Sequence, residues 1–204
     1  MYDRLASRYT KALARSMAST KNIKGAAVLN NGFTAAYAGG DGKALFDTEH
    51  PTLAGSFSNE LNTPAELNET SLEEALINIA AFTDERGLKI AAQGTKMIIP
   101  SALQFTAERL MKSEGRTGTA DNDINAIRSM GMLPQGYAVN HYLTAAKKWF
   151  VKTDVPNGMK HFERAPITTK MEGDFDTGNV RYKARERYVF GFSDPRGAFG
   201  SNAT

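Results

Sequence analysis

Several features that would point to chemistry or a membrane are missing from this sequence. None of its 204 residues is cysteine, which excludes disulfide frameworks, thiolate metal sites and cysteine nucleophiles. Only three histidines are present, with no spacing typical of a zinc site. No apolar run approaches the roughly 20 residues of a membrane span, and the charged N-terminus lacks the apolar segment of a signal peptide. We therefore predict no metal, no cofactor and no membrane partner.

Catalytic motifs are missing as well. The pair Gly42-Lys43 resembles the end of a phosphate-binding loop, but Tyr37 stands where the loop needs glycine and Ala44 where it needs serine or threonine. There is no glycine-rich dinucleotide fingerprint and no nucleophile elbow. We predict that the chain has no catalytic residues and is not an enzyme.

What the chain does have is charge of alternating sign. Residues 1–25 hold six basic and one acidic residue, residues 41–86 hold two basic and ten acidic ones, and residues 132–204 hold eleven basic and seven acidic ones. A pI near 9.0 alone would favour a nucleic-acid binder. The alternation instead favours surfaces of opposite sign that join like subunits, unless these charges only cover solvated faces.

The N-terminal segment 2–22 has the periodicity of an amphipathic helix. Its apolar side chains recur three and four positions apart, and its basic ones follow the same period one position earlier. We expect this helix to break by Gly25, and residues 26–29 either extend it or begin a strand. The basic stripe is a solvated flank, or it meets another subunit or nucleic acid. Its members are Arg4, Arg8, Lys11 and Arg15.

The middle of the chain is loop-rich over residues 30–70 and then becomes α/β. Ser71 and Glu74 predict a capping box that starts a second helix, with Gly87 as its stop. Short strands are predicted at 96–100, 137–142, 147–153 and 161–172, with helices after Ser101 and over 123–130. The acidic region 60–74 is a candidate partner surface, with Glu60, Glu66, Glu69 and Glu73 as its contact charges.

The segment 180–192 alternates between two kinds of side chain, which predicts a half-buried strand. One face is apolar apart from Glu186, and the other is basic. Four stacked like charges destabilise a strand unless anions oppose them. The basic face therefore lies opposite acidic residues of this or a neighbouring subunit, faces nucleic acid, or guards a solvated edge. Its members are Arg181, Lys183, Arg185 and Arg187.

Several stretches resemble the Mu-like major head subunits of tailed bacteriophages. The stretch 41–51 (DGKALFDTEHP), followed by Gly55 and Asn59, resembles a pattern of that family. So do residues 134–142, 149–151, 175–188 and 193–197. The order and spacing of these stretches carry the resemblance, which extends from about residue 2 to residue 200.

The resemblance implies an α+β fold, the phage major capsid fold of the Hong Kong-type phages. Its parts are a long spine helix, a peripheral β-sheet region and a mixed α/β axial domain. Residues 1–70 would hold the spine helix and a peripheral loop region, 71–165 the axial domain, and 166–204 the returning strands of the peripheral region. The family's N-terminal arm and extended loop would be lacking before this helix.

The resemblance also implies a function. The chain would be a structural head subunit of a phage or prophage, made in the bacterial cytoplasm, that forms capsomers and an icosahedral shell. Its partners would be further copies of itself, non-specifically packaged DNA, and scaffolding, portal or decoration proteins. The alternative is a nucleic-acid-binding module that uses the basic faces of helix 2–22 and strand 180–192.

Overall fold

The computed structural model describes residues 2–116, 123–173 and 175–204, with the side chains of residues 2–7 left out. The four α-helices are α1 (Tyr2–Asn30), α2 (Glu69–Ala80), α3 (Gln104–Lys112) and α4 (Ala126–Ser129). The strands are β1 (His50–Thr52), β2 (Gly55–Phe57), β3 (Gly94–Ile99), β4 (Tyr137–Val139), β5 (Trp149–Thr153), β6 (Met159–Gly173), β7 (Val180–Phe192) and β8 (Ala198–Ser201). Short 3₁₀ turns lie at Ala35–Tyr37, Ser101–Leu103 and Pro195–Gly197. The fold is mixed α+β, as predicted.

The chain divides into two compact units. Unit 1 consists of Met1–Gly25 and Lys160–Gly191, and unit 2 of Ala26–Met159 and Phe192–Thr204. Unit 1 therefore combines most of α1 with the β6–β7 hairpin. The three-part division at residues 70 and 165 stays a prediction.

Helix α1 includes residues 26–29, which is the first of the two alternatives that the sequence left open for this segment. It continues through Gly25 to Asn30 instead of breaking there. A glycine inside a helix costs about 1 kcal/mol relative to alanine. The next turn offsets that cost by burying Ala26 and Leu29, which are 2% and 4% exposed.

Helix α2 begins three residues before the predicted start. Asn68 is its N-cap, and its Oδ1 accepts a hydrogen bond from the Ser71 backbone N–H at 2.8 Å. The Ser71 hydroxyl accepts in return from the Asn68 N–H at 3.0 Å. The predicted Ser71–Glu74 box is thus wrong, because Ser71 is the third residue of the helix. The predicted stop at Gly87 is wrong too, since α2 ends at Ala80.

Two further boundaries differ from the expectations. The helix predicted over 123–130 is only α4, and Asn125 caps it by accepting from the Arg128 N–H at 3.3 Å. Ser101 starts a 3₁₀ turn and caps nothing with its side chain. The segment 180–192 is the strand β7 but is followed by a further strand, β8.

The sheet of unit 2 has the order β4-β3-β5-β8, with β3 parallel to β4 and the other neighbours antiparallel. Side chains alternate along the central strand β5. Trp149 and Val151 therefore enter the cluster formed with α2 and α3, and Phe150 enters a second cluster with Leu29 and Phe46. The apolar run is buried on both faces of the sheet, which anchors unit 2.

Candidate assembly surfaces

In unit 1, helix α1 packs on one face of the β6–β7 sheet. The Lys21 ammonium donates a hydrogen bond to Glu186, and its Nζ lies 5.1 Å from the ring centre of Tyr188. One turn later, Gly25 approaches the Phe190 ring. The three strand residues are two apart in sequence and so share a face. Residues 21–25 of α1 therefore lie against one end of the face that the sequence marks as apolar, whereas Val180 and Tyr182 at its other end stay exposed.

Glu186, the one charge among the apolar positions of β7, is explained by this packing. Its side chain is 7% exposed and that of Lys21 is 28% exposed. The hydrogen bond to Glu186 raises the pKa of Lys21 above its ordinary value of 10.5, although burial acts in the opposite direction. A buried carboxylate is tolerated here because it has a cationic partner.

Unit 1 has no buried hydrophobic residue among the side chains that the structure describes. Many large apolar side chains are instead solvent-exposed. On α1 they are Tyr9 and Ile23, and on the hairpin they are Phe162, Ile167, Met171, Phe175, Val180, Tyr182 and Val189. A two-stranded sheet is marginally stable by itself, and apolar surface of this kind is typical of interaction sites.

The basic row of β7 points away from the helix. Arg181, Lys183, Arg185 and Arg187 are all exposed, as strand alternation predicts. The side chains of Lys183, Arg185 and Arg187 form no ion pair and no hydrogen bond with any residue that the structure describes. The row lies on the face of the sheet that α1 leaves open.

The basic stripe of α1 is separate from that row. Arg8, Lys11 and Arg15 are exposed, whereas the side chain of Arg4 lies outside the described residues. The helix lies against the apolar face, and the β7 row is on the opposite face. The two sets of basic residues therefore form no single surface.

The four predicted acidic contacts have different surroundings. Glu66 pairs with Lys147 at 2.7 Å, and Glu69 pairs with Arg116 at 2.9 Å. Burial raises the pKa of Glu60 above its ordinary value of 4.5, and the charge of Asp47 adds to this while that of His50 opposes it. Their role as contact charges stays a prediction, as does that of Glu73, which is partly exposed near the start of α2.

A buried polar cluster emerges that the sequence analysis did not assemble. His50 is fully buried, with Nδ1 2.6 Å from an Asp41 carboxylate oxygen and Nε2 3.1 Å from Asn59 Oδ1. Asn59 Nδ2 donates to the Leu45 carbonyl at 2.7 Å, which orients the amide. The ring also stacks on Phe57, with 5.0 Å between ring centres. Asp41, His50 and Asn59 all belong to the part of the sequence, residues 41–59, that carries the family resemblance.

A second buried polar group, the Arg196 side chain, contacts the same Phe57 ring. It is 7% exposed, and its guanidinium lies 4.5 Å from the ring centre of Phe57. It donates to the Thr83 carbonyl at 2.7 Å and to Glu85 at 2.9 Å. The sequence analysis singled out the stretch 193–197 only as part of the resemblance. No separate signal marked Arg196 as buried.

Other classes of site have less support. No group of metal-ligating side chains is present in the part of the chain that the structure describes. No helix among these residues is both long and apolar enough to cross a bilayer. The assembly surfaces of unit 1 remain the strongest candidates.

Comparison with known proteins gives a consistent result. The sequence matches the family described as phage capsid protein over residues 2–200. No curated protein matches it. A phage-related protein from Bordetella bronchiseptica RB50 aligns with a TM-score of 0.52 at 11% identity, over 96% of this chain and 64% of that one. This likeness is one of fold alone.

Two further solved structures align less well. The capsid of an empty GTA particle has a TM-score of 0.49 at 16% identity, over 100% of this chain and 67% of that one. A structure from Mycobacterium phage Che8 has a TM-score of 0.48 at 15% identity, over 95% and 62%. The chain thus spans about two thirds or less of the length of the structures it matches.

Proposed function

Because the chain belongs to the phage capsid protein family, we propose that it is a structural subunit of a phage or prophage head. Copies of the chain associate into capsomers and a shell around packaged DNA. The observation that carries this proposal is the surface of unit 1, which exposes large apolar side chains and buries none of those described. Contact with other copies supplies the missing cover.

The charges of the two units support contacts between unlike surfaces. Unit 1 contains thirteen Lys and Arg against six Asp and Glu, a net +7, whereas unit 2 contains twelve against sixteen, a net −4. Opposite charges steer association and set its register. Contact between unit 1 of one copy and unit 2 of the next is heterologous, and repeated contacts of that kind build rings and shells.

The helix stripe and the acidic groups keep their proposed roles in these contacts. Arg8, Lys11 and Arg15 would face carboxylates of a neighbouring copy, with Glu73 a candidate among them. The row on β7 has two competing assignments, acidic groups of a neighbouring copy or nucleic acid. Affinity in either case comes from apolar burial, and the charges select the partner.

The finer expectations from the resemblance belong to this proposal. They are the Mu-like relationship, the Hong Kong-type fold with its peripheral and axial parts, and partners of the scaffolding, portal or decoration kind. The proposal also includes synthesis in the bacterial cytoplasm, location in the virion capsid and the lack of enzymatic activity. The family assignment supports the location in the virion capsid and a structural role, and the other expectations follow from the sequence resemblance.

Sedimentation velocity over a series of protein concentrations tests the proposal. We expect monomer at low concentration and rings, hexamer-sized species or shells above a threshold. The variant Met171→Ser/Val180→Ser removes two apolar groups of unit 1 that are 72% and 64% exposed. It should raise the threshold about tenfold or more, because about 1.4 kcal/mol of lost contact energy is a factor of ten.

The matched control is Leu53→Ser/Ile124→Ser, which removes two apolar groups of unit 2 that are 88% and 72% exposed. The threshold should rise less than for Met171→Ser/Val180→Ser, because the proposal assigns the main apolar contact to unit 1. A chain that stays monomeric at every concentration contradicts the proposal. Equal effects of both variants contradict the role of unit 1.

A further inference from the structure

Strand alternation identifies the residues on the face of the β6–β7 sheet that α1 leaves open. His161 stacks on Phe190 with 4.6 Å between ring centres, so odd-numbered residues of β6 share the helix side with even-numbered residues of β7. The open face therefore carries the even-numbered residues of β6 and the odd-numbered ones of β7. Within residues 162–172 and 181–189 it holds six basic side chains and one acidic side chain, Glu172. The six are Arg164, Lys170, Arg181, Lys183, Arg185 and Arg187.

This face is long and nearly uniform in charge. Alternate residues of a strand are about 6.6 Å apart, so the row from Arg181 to Arg187 extends over about 20 Å. One strand of a nucleic acid duplex presents a phosphate about every 3.4 Å along the helix axis. A row of this length therefore follows about six phosphates, which makes a nucleic acid backbone a suitable partner.

Three of the four basic side chains of the row have no carboxylate partner among the described residues. Lys183, Arg185 and Arg187 pair with none of the carboxylates in the part of the chain that the structure describes. The one carboxylate of β7 itself, Glu186, lies on the other face and is bound by Lys21. Stacked like charges destabilise a strand, so an external anion relieves the repulsion.

Two of the acidic side chains that could oppose the row in another copy already form ion pairs within their own chain. Glu66 and Glu69 pair with Lys147 and Arg116 of their own unit. Contact with the β7 row of another copy would have to share or exchange these carboxylates. A phosphate backbone is fully ionised and continuous, and no such exchange is needed.

We propose that the open face of the β6–β7 hairpin binds the phosphate backbone of nucleic acid without sequence preference. The inference deepens the proposed function, on which it rests for the presence of packaged DNA, by assigning the DNA contact to this face. The basic stripe of α1 lies on the other side of the sheet and takes no part in it.

Fluorescence anisotropy with two 20-base-pair duplexes of unrelated sequence tests this, using the full chain between 50 and 200 mM salt. Both duplexes should bind with equal affinity. The test variant is Lys183→Gln/Arg185→Gln/Arg187→Gln. Loss of three phosphate contacts should reduce the slope of log affinity against log salt by about 2.7, at about 0.9 per contact. The wild-type affinity should fall about 40-fold more than that of the variant between these salt concentrations.

Two matched variants carry the same change in charge. Lys89→Gln/Arg109→Gln/Lys152→Gln alters exposed residues of unit 2, and Arg8→Gln/Lys11→Gln/Arg15→Gln alters the α1 stripe. Both should keep the wild-type slope within about 0.5, since neither removes contacts at the proposed face. Equal losses in all three variants would mean that net charge alone drives binding, and this would overturn the inference.

Sedimentation of the same variants without DNA separates this inference from the proposed function. If the β7 variant binds DNA normally but no longer assembles, the row faces acidic groups of a second copy and the inference is overturned, while the proposed function stands. If the wild type binds DNA as expected yet never assembles, the proposed function fails and the face assignment survives. Far-UV circular dichroism confirms that each variant is folded.

Discussion

Unit 2 and unit 1 contain similar kinds of side chain but cover them to different degrees. Unit 2 buries a full set of large apolar residues, among them Trp149, Phe150 and Phe199, each at most 1% exposed. Unit 1 places a helix on a two-stranded sheet and covers none of its described apolar side chains to that extent. Within the described part of unit 1, the sheet consists of two strands. We therefore expect unit 2 to be stable through its own core and, under the proposed function, unit 1 to be completed by contacts with other copies.

The largest expected effect comes from a matched pair of substitutions. Phe199→Ala in unit 2 removes a side chain that is 0% exposed, and Phe162→Ala in unit 1 removes one that is 58% exposed. The first should lower the free energy of unfolding by about 3–5 kcal/mol, because it leaves a cavity in the core. The second should change it by less than about 0.5 kcal/mol. Urea denaturation at low protein concentration measures both, and equal effects would remove the contrast between the units.

The polar cluster of unit 2 supplies the next effect. Burial raises the pKa of Asp41, but hydrogen bonds from His50 and from the Lys43 N–H outweigh it and leave the pKa below its ordinary value of 3.8. The stabilisation is therefore present above that value and is lost as pH falls through the lower pKa of the folded state. Asp41→Asn should lower the free energy of unfolding by about 1–3 kcal/mol at neutral pH.

The difference between Asp41→Asn and the wild type should shrink in acid, where the wild type also loses the charge. Asp123→Asn, at an exposed position of the same unit, is the control and should change little at any pH. Thermal unfolding between pH 2 and 7 measures both variants. A difference that is constant with pH would show that Asp41 acts by packing and not by charge.

The ionised Glu60 side chain should affect stability in the opposite direction to that of Asp41. Its raised pKa means that the folded state favours the protonated form, so the ionised side chain destabilises the fold as pH rises above the ordinary value of 4.5. Glu60→Gln should therefore raise the melting temperature slightly at pH 7, and the gain should disappear below about pH 4. Glu74→Gln, at an exposed site on α2, should show neither change. A melting temperature lowered at pH 7 would contradict this account.

The smallest effect is expected in unit 1. Glu186→Gln weakens the contact with Lys21 that holds α1 on the hairpin. Amide hydrogen exchange in β7 should become roughly a few times faster, because local opening of a marginal element needs less free energy. The urea midpoint should not change, as the main transition reports unit 2. Glu172→Gln on the open face is the control, and faster exchange there as well would argue against the Lys21 contact.

Parts of this fold follow from local patterns in the sequence. Periods of three and four residues predicted the long N-terminal helix, and the apolar positions Leu72, Leu76 and Ile79 of α2 are buried as expected. Alternation over 180–192 predicted a strand with one open basic face. These patterns succeed because helix and strand geometry repeat over short distances.

Element boundaries and side-chain partners could not be predicted in the same way. The last turn of α1 forms because Ala26 and Leu29 enter a core with Phe46 and Phe150, which come from distant parts of the chain. Nothing in the sequence indicates a partner for Glu69 within the chain, but Glu69 pairs with Arg116. Ser71 was predicted as the N-cap of α2, but the N-cap is Asn68. In the first two cases a contact between distant parts of the chain decided the outcome, and in the third a competing local cap did.

The sequence by itself determined the kinds of surface that this protein presents, since charge, apolar period and strand alternation are properties of neighbouring residues. It also carried the family resemblance, which the match over residues 2–200 confirms at the level of the phage capsid protein family. Only the tertiary structure decided which surfaces are covered, because burial depends on elements far apart in the chain. It placed α1 on the apolar face of the hairpin, and this leaves the basic row of β7 open on the other side.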